Sequence, residues 1–470
     1  MNAVFLSLLG FIVLQLGFAA WAARRIRSES DFLVAGRSLG PWMATFTVFA
    51  TWFGAETCIG AAGEAYAGGL AAVRVDPFGY AIGILLMGLL LGAALWRRQL
   101  LTLADLFRQR WGGGVERLAA LIMIPTSLLW AAAQIRALGQ VMAMTGLEEV
   151  TLGIQVAALV VILYTVVGGL WADALSDLVQ GLVLIAGLLG LAVMVWLLPE
   201  GAAPALPTLD RLRLQAPEES LWQTLEIWAV PIGGTLAAQE LVSRVLAMRS
   251  PQLARRATVQ AGLLYLLIGL IPVSLGLIAF EQLGPLDEPE QVLLHLAEAR
   301  LPLLLFILFV AALVSAILST VNSALLVAGG LLAHNLVLPL RPDLGVSARL
   351  RLNRLAVAAF GGIAYLIALS SDSVYALVEQ ASALGSAGVL VLIVFALLPR
   401  RIGGPAAASA ALLSGVGVYV AGSQAGWSAP YLSSLAAALL AYLLLALIEA
   451  RQEKGRPVGG PSNASPEIST

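Results

Sequence analysis

Apolar runs of about 20 residues recur from one end of this chain to the other, and that repetition leaves few folds open. Wound as a helix at ~1.5 Å per residue, each run matches the ~30 Å hydrocarbon core of a bilayer. The runs fall near 3–23, 41–68, 77–96, 117–143, 149–169, 173–198, 221–247, 257–281, 301–336, 353–371, 373–399, 404–423 and 429–449. They predict an all-α polytopic membrane protein of about 13 transmembrane helices. With 60% hydrophobic and 12% charged residues, the chain lacks the polar groups to cover a soluble domain of this size. The longest hydrophilic stretches, Glu200–Ser220 and Gly284–Arg300, are too short to fold alone and read as loops. Residues 1–450 therefore read as one transmembrane domain. The Pro-, Ser- and Gly-rich residues 451–470 read as a disordered cytoplasmic tail. The first run is too long for the apolar part of a signal peptide and reads as a retained span.

Net charge is −1, so the total gives no reason to expect a nucleic-acid partner. The distribution of charge is more informative. Arginines crowd alternate connections: Arg24, Arg25, Arg27 and Arg37; Arg97, Arg98, Arg108 and Arg110; Arg249, Arg255 and Arg256; Arg341, Arg349, Arg351 and Arg354; Arg400 and Arg401; and Arg451, Lys454 and Arg456. The connections between them carry Glu148 and Glu149, Glu218 and Glu219, and Asp287, Glu288 and Glu290. By the positive-inside rule the N-terminus is outside and the C-terminus cytoplasmic, in a plasma membrane of the bacterial inner-membrane kind. A single cysteine, Cys58, excludes an intrachain disulfide, and two histidines, His295 and His334, make a histidine-rich metal site implausible. His334 is expected at the interface, near the end of the ninth run.

Two runs are interrupted. PWMATFTVFATWFGAETCIGAAGEAYAGG, residues 41–69, holds Glu56 in mid-span with Gly54, Gly60 and Gly63 around it. A charge at the bilayer centre costs at least ~2.5–3.5 kcal/mol, so such a residue faces a cavity or a partner. Glycine weakens the helix beside it, and irregular backbone at that depth survives only where protein or a cavity surrounds it. Tight packing of small residues is the plainer reading. The seventh run carries Pro231, Gly233 and Gly234 ahead of Gln239 and Glu240, five spans later. Matched interruptions are what an inverted repeat produces, here of spans 2–6 and 7–11 with discontinuous helices 2 and 7.

In the ninth run Ser319 and Thr320 share a face with Ala316. Their hydroxyls, with carbonyls freed by the break in the second run, would offer about five oxygens to a hard cation. They equally suit bonds to their own i−4 carbonyls. In GGLWADALSDLVQG, Asp177 is a helix cap or an ion ligand, and Asp173 reads as a solvated acid at a helix start. The fourth run holds Trp130, Gln134, Arg136 and Gln140. Arg136 has three readings left open: it snorkels to the interface, neutralises Glu56, or holds a substrate carboxylate.

At these residues the chain resembles the sodium:solute symporter family. The likeness runs in order through DFLVAGRSLGPW, ATWFGAETCIGAAGEAY, YTVVGGLWADALSDLVQ, AAQELVSRVLAMRSPQLARR and SAILSTVNSALL, from about residue 30 to 400. The resemblance implies a LeuT-like inverted-repeat fold, alternating access and solute import with Na+ as coupling ion. It implies a sodium site of the carbonyls of Ala50, Phe53 and Ala316 and the hydroxyls of Ser319 and Thr320, with Asp177 added where a second ion is carried. ATW, DPFGY and LLWAAA are most similar to the high-affinity choline transporter branch, where aromatics matching Trp52, Tyr80 and Trp130 cage a quaternary ammonium. Ala238 stands where that cage has a further tryptophan. Glu56 is closer to sugar-transporting members, and Arg136 to members that bind acidic sugars.

The sequence therefore predicts a sodium-coupled symporter for a small organic cation or zwitterion. The expected solute contacts are Trp52, Glu56, Tyr80, Trp130, Gln134, Arg136 and Gln239. A proton- or sodium-coupled carrier of an organic acid, amino acid or sugar is the alternative, and a membrane sensor a weaker one. An enzyme is not expected, because no nucleophile with a base stands at membrane depth. The expected partners are the solute and the bilayer, with no obligate protein partner.

Overall fold

The computed structural model describes residues 3–22, 24, 28–147, 149–196, 207–216, 218–371 and 373–455. Among them the chain is helical, with one isolated backbone bridge between Leu39 and Met248. The helices are α1 (Ala3–Ala22), α2 (Glu29–Val34), α3 (Pro41–Trp52), α4 (Ala61–Gly68), α5 (Tyr80–Leu86), α6 (Ala93–Arg97), α7 (Leu103–Trp111), α8 (Gly113–Met142), α9 (Val150–Trp196) and α10 (Leu221–Ala237). They continue with α11 (Gln239–Leu246), α12 (Pro251–Leu283), α13 (Val292–Arg300), α14 (Leu303–Gly330), α15 (Val346–Leu369), α16 (Val374–Ser386), α17 (Val389–Leu397), α18 (Pro405–Gln424) and α19 (Pro430–Gly455). Every apolar run has a helical counterpart. Nine described helical segments are long and apolar enough to cross a membrane, or ten if α16 and α17, bent by 44°, form one span. Among the described residues the first run and the two interrupted ones fall short of that measure, so nine or ten of the thirteen expected spans meet it.

Both interruptions are present, each with a local cause. α3 stops at Trp52, Phe53 leaves the helical region at φ −79°, ψ 72°, and the chain restarts through a widened turn over Glu56–Gly60. In the seventh run Pro231 and the paired glycines stay inside α10, and the break falls at Ala238, φ −70°, ψ 121°. The fifth and sixth runs join without a loop: α9 is interrupted only by Gly169, at φ 67°, which L side chains seldom adopt. α14 forms the centre of the bundle, packed on α8 and α9 and buried at every residue from Phe309 to Gly330. Where α8 meets α9 there is no room for side chains: a Cβ on Gly153 would overlap the Gly139 carbonyl oxygen.

The six arginine-rich connections converge at one end of the bundle. Leu39 N donates to Ala247 O at 3.1 Å, and Trp96 Nε1 to Met248 O at 2.6 Å. His334 lies 3.0 Å from Glu29 and 3.2 Å from Asp105, which ties the ninth connection to the first and third and places His334 in a half-buried polar knot. Burial pushes the Asp105 carboxyl up, but His334 and the N–H groups of Thr102 and Leu101 outweigh it and hold it below the usual range. Arg110 reaches the Arg400 carbonyl, and Glu449 takes the Gly404 N–H. Arg25, Arg27, Glu148 and Arg456 lie outside the described residues.

Two expected loops are built structures. Residues 292–300 form α13, with Val292, Leu293, Leu294 and Leu296 buried, because their apolar face packs on α4, α12 and α14. Glu290 ahead of it accepts from Ser373 Oγ at 3.0 Å, Val374 N at 2.8 Å and Gln140 Nε2 at 3.0 Å, joining α16 to α8. From the described part of the 200–220 stretch, Arg211 caps carbonyls of α4 and covers the Phe280 ring at 4.3 Å. α19 runs on to Gly455, so the start of the expected tail is helical, and residues 456–470 lie outside the described residues.

Gly153→Ala should lower the unfolding midpoint in detergent, by the ~1–3 kcal/mol that overpacking costs. Gly190→Ala, where an added Cβ meets nothing within 4 Å, should leave it unchanged or raise it. Equal midpoints for the two variants would contradict the packing of α8 on α9.

Candidate functional site

Breaking α3 frees backbone groups that the bilayer cannot satisfy, and side chains from other helices meet them. Gln134 Oε1 accepts from Ala55 N at 2.9 Å, just past the break. From α14, Ser319 Oγ lies 3.4 Å and Thr320 Oγ1 3.3 Å from the Ala50 carbonyl oxygen, and Thr320 Oγ1 lies 3.1 Å from Ala316 O. Gly54 makes this approach possible: a Cβ there would stand 2.6 Å from Thr320 Oγ1. Two hydroxyls and two carbonyls thus converge on one point, with the Phe53 peptide turned out of the helix beside them. The group is all oxygen and carries no donor that must stay positive, which suits a hard monovalent cation.

A buried acid network adjoins it. Asp177 accepts from Thr47 Oγ1 and from Ser319 Oγ, both at 2.5 Å, and bridges α3 to α14. Asp173, expected to be solvated, is fully buried and ion-paired with Arg244 of α11. The reason is the missing loop: α9 resumes at Gly169, so Asp173 stands inside the bundle. The same Arg244 donates from Nε to Thr51 Oγ1 at 2.9 Å and from Nη2 to Ser323 Oγ. Arg244 is thus a second arginine, besides Arg136, within an apolar run. Sequence reasoning missed Arg244 because VSRVLAMR reads as the basic end of a span, and only the break at Ala238 carries it inward.

Trp52, Tyr80 and Trp130 come together. Trp52 and Trp130 meet edge to face with centroids 4.7 Å apart, and Trp52 and Tyr80 at 6.4 Å; all three are buried. Trp130 borders a narrow cavity, walled elsewhere by Ser127, Ala238, Gln239, Glu240 and Ser382. Gly234 lets Ser382 pack closely at its edge, where a Cβ would stand 2.6 Å from the Ser382 Cβ. Ser382 Oγ is 2.9 Å from the Tyr80 hydroxyl, which joins the cavity to the rings. Glu240, not nominated as a solute contact, lines this space and accepts from Ser127 Oγ at 2.6 Å. Its sequence signal was its place two residues after the break.

The remaining nominated residues are placed differently. Glu56 is buried beside Tyr80, with the acidic Asp76 and Glu379 among the charges around it. Arg136 is half-buried on α8, outward of Gln134, and does not line the cavity. Gln134 braces the helix break. Gln239 borders the cavity, but its Oε1 accepts from Leu103 N at 2.5 Å, which clips α11 to α7.

The sequence model of the sodium:solute symporter family matches residues 32–415. The high-affinity choline transporter 1 of Caenorhabditis elegans is 26% identical over 403 residues, covering 78% of this chain and 69% of the relative. The Drosophila melanogaster counterpart is 25% identical, covering 80% and 64%. The chain thus spans about two thirds of the length of these relatives. Among solved structures, the substrate-bound, outward-open state of a Na+-coupled sialic acid symporter superposes with a TM-score of 0.80 at 16% identity, covering 96% of this chain and 97% of that one. The fold is LeuT-like, with broken first helices where the repeat demands them. This multi-pass membrane chain belongs to the sodium:solute symporter family, carriers that move a small organic solute together with sodium.

Proposed function

We propose that the solute is a small organic cation. The observation that carries this reading is the charge of the cavity beside Trp130: among the described residues Glu240 is its only ionisable wall residue, and no basic group lines it. A cation over a tryptophan or tyrosine face gains ~0.5–2 kcal/mol, more when desolvated. An acid, or a zwitterion held by Arg136, loses its partner once Arg136 stands outside the lining. Similarity to choline transporters supports the same reading.

For the ion we propose the oxygens of Ala50, Phe53, Ala316, Ser319 and Thr320, with Asp177 next to them. Sodium bound there would supply positive charge to a set of carbonyl and hydroxyl dipoles. Coupling follows from sequence adjacency: the Ala50 carbonyl meets α14 while Trp52, two residues on, packs on Trp130. Whatever draws the broken helix onto α14 also sets the position of Trp52. Residues 1–450 act as one transporter domain in this reading, and the arginine-rich end of the bundle faces the cytoplasm of a bacterial inner membrane.

Ser319→Ala and Thr320→Ala should each raise the sodium concentration for half-maximal uptake about five- to tenfold, the scale of removing one polar ligand. Trp52→Ala and Trp130→Ala should weaken solute binding at saturating sodium. Unchanged sodium dependence in both hydroxyl variants would reject the ion site, and unchanged solute affinity in both tryptophan variants would reduce the rings to packing. Sidedness has a separate check in a Cys58→Ala background. A cysteine introduced in the 284–291 segment should react with an impermeant reagent in intact cells, and one in the 341–345 turn should not. The reverse pattern would invert the topology.

A further inference from the structure

Resting on the organic-cation reading, the polar groups of the cavity narrow the solute further. An aromatic face attracts any cation, methylated or not, because the attraction is to charge rather than to a hydrogen. The opposite wall is different in kind. Glu240 is 3% exposed and receives one side-chain hydrogen bond, from Ser127 Oγ at 2.6 Å. The guanidinium one turn further along α11, that of Arg244, turns its Nε and Nη2 to Thr51, Asp173 and Ser323, away from the cavity. Among the described residues no basic side chain lines the cavity to replace it.

A second observation points at a ligand. Thr126, 8% exposed and lining the same cavity one turn from Trp130, has a buried hydroxyl with no hydrogen-bond partner among the described residues. Gly385 lets the Thr126 side chain pack closely against α16, since a Cβ there would come within 2.8 Å of that oxygen. A buried carboxylate with one donor and a buried hydroxyl with none both gain from an N–H group, and the gain is greatest when the donor carries the charge. Fully methylated nitrogen has no hydrogen to give, and its methyl groups hold the charge away from the carboxylate.

We propose that Glu240 is the counter-ion of the transported cation and that Glu240 and Thr126 together select ammonium ions bearing an N–H over quaternary ones. Ala238 and Ala237 shape the same preference, because they leave the cavity open beside Glu240 where a larger side chain would separate the nitrogen from the carboxylate. The substrate class is thus a small primary, secondary or tertiary amine in its protonated form.

The test uses the full chain in detergent with saturating sodium, and tryptophan fluorescence as the binding signal. The two probes are 2-(dimethylamino)ethanol, protonated at neutral pH, and its quaternary counterpart choline. The wild-type protein should bind the tertiary amine about tenfold more tightly, the scale of one hydrogen bond to a charged group. Glu240→Gln should lose about tenfold for the tertiary amine and less than about twofold for choline. Thermal unfolding checks that the variant is folded; if it is not, Thr126→Val, which keeps the shape, should narrow the preference instead. Binding of neither probe would overturn the organic-cation reading and this proposal with it. Binding of both without preference, or a loss in Glu240→Gln shared equally, would overturn the selection by Glu240 and leave the organic-cation reading in place.

Discussion

The close approach of Gly54 to Thr320 is the point on which the rest of the site depends. A helix broken in the middle of a bilayer leaves carbonyls and N–H groups that hydrocarbon cannot satisfy. Here α14 approaches so closely that only glycine fits at position 54, and its two hydroxyls stand at the Ala50 carbonyl. Gln134 takes the Ala55 N–H on the other side. The break is therefore held by three helices, and its cost is met by groups that also form a pole of negative potential. Asp177 reinforces that pole and fastens α3 to α14.

Arg244 gives the second broken helix a corresponding anchor. Its guanidinium reaches Thr51 on α3, Asp173 on α9 and Ser323 on α14, so the two discontinuous helices are held to one central element. Removing one partner of such a buried pair leaves an uncompensated charge, typically costing about 3–5 kcal/mol. The same two breaks set Trp52 against Trp130, which borders the cavity, and put Glu240 in the cavity lining. Ion and solute regions are thus built from the same few residues of α3 and α11 rather than joined through a distant relay.

Much of this was legible in the sequence, for identifiable reasons. Span positions follow from run length, and the grouping of the six connections at one end follows from arginine content. Glu56 and Gly54 marked the first break because charge and glycine are both costly there, and Ser319 and Thr320 marked the face that meets it. What was not legible depends on backbone turns with no strong local signal. Ala238 is an ordinary helix former that ends α10, while the conspicuous Pro231, Gly233 and Gly234 remain helical. That shift of a few residues buries Arg244 and turns Glu240 to the cavity. Gly169 replaces a loop with a kink, and so converts Asp173 from a surface acid to half of a buried pair. Residues 284–300 read as polar because Asp287, Glu288 and Glu290 dominate the composition, yet the leucines after them bury a whole helix.

Sodium coupling through the α3–α14 oxygens is the central claim, and uptake into sealed proteoliposomes under separately imposed gradients tests it most directly. An inward sodium gradient at equal pH should drive accumulation of an organic cation above its external concentration, and a pH gradient without sodium should not. Accumulation that follows the pH gradient, ignores sodium and survives loss of both the Ser319 and Thr320 hydroxyls would contradict the account.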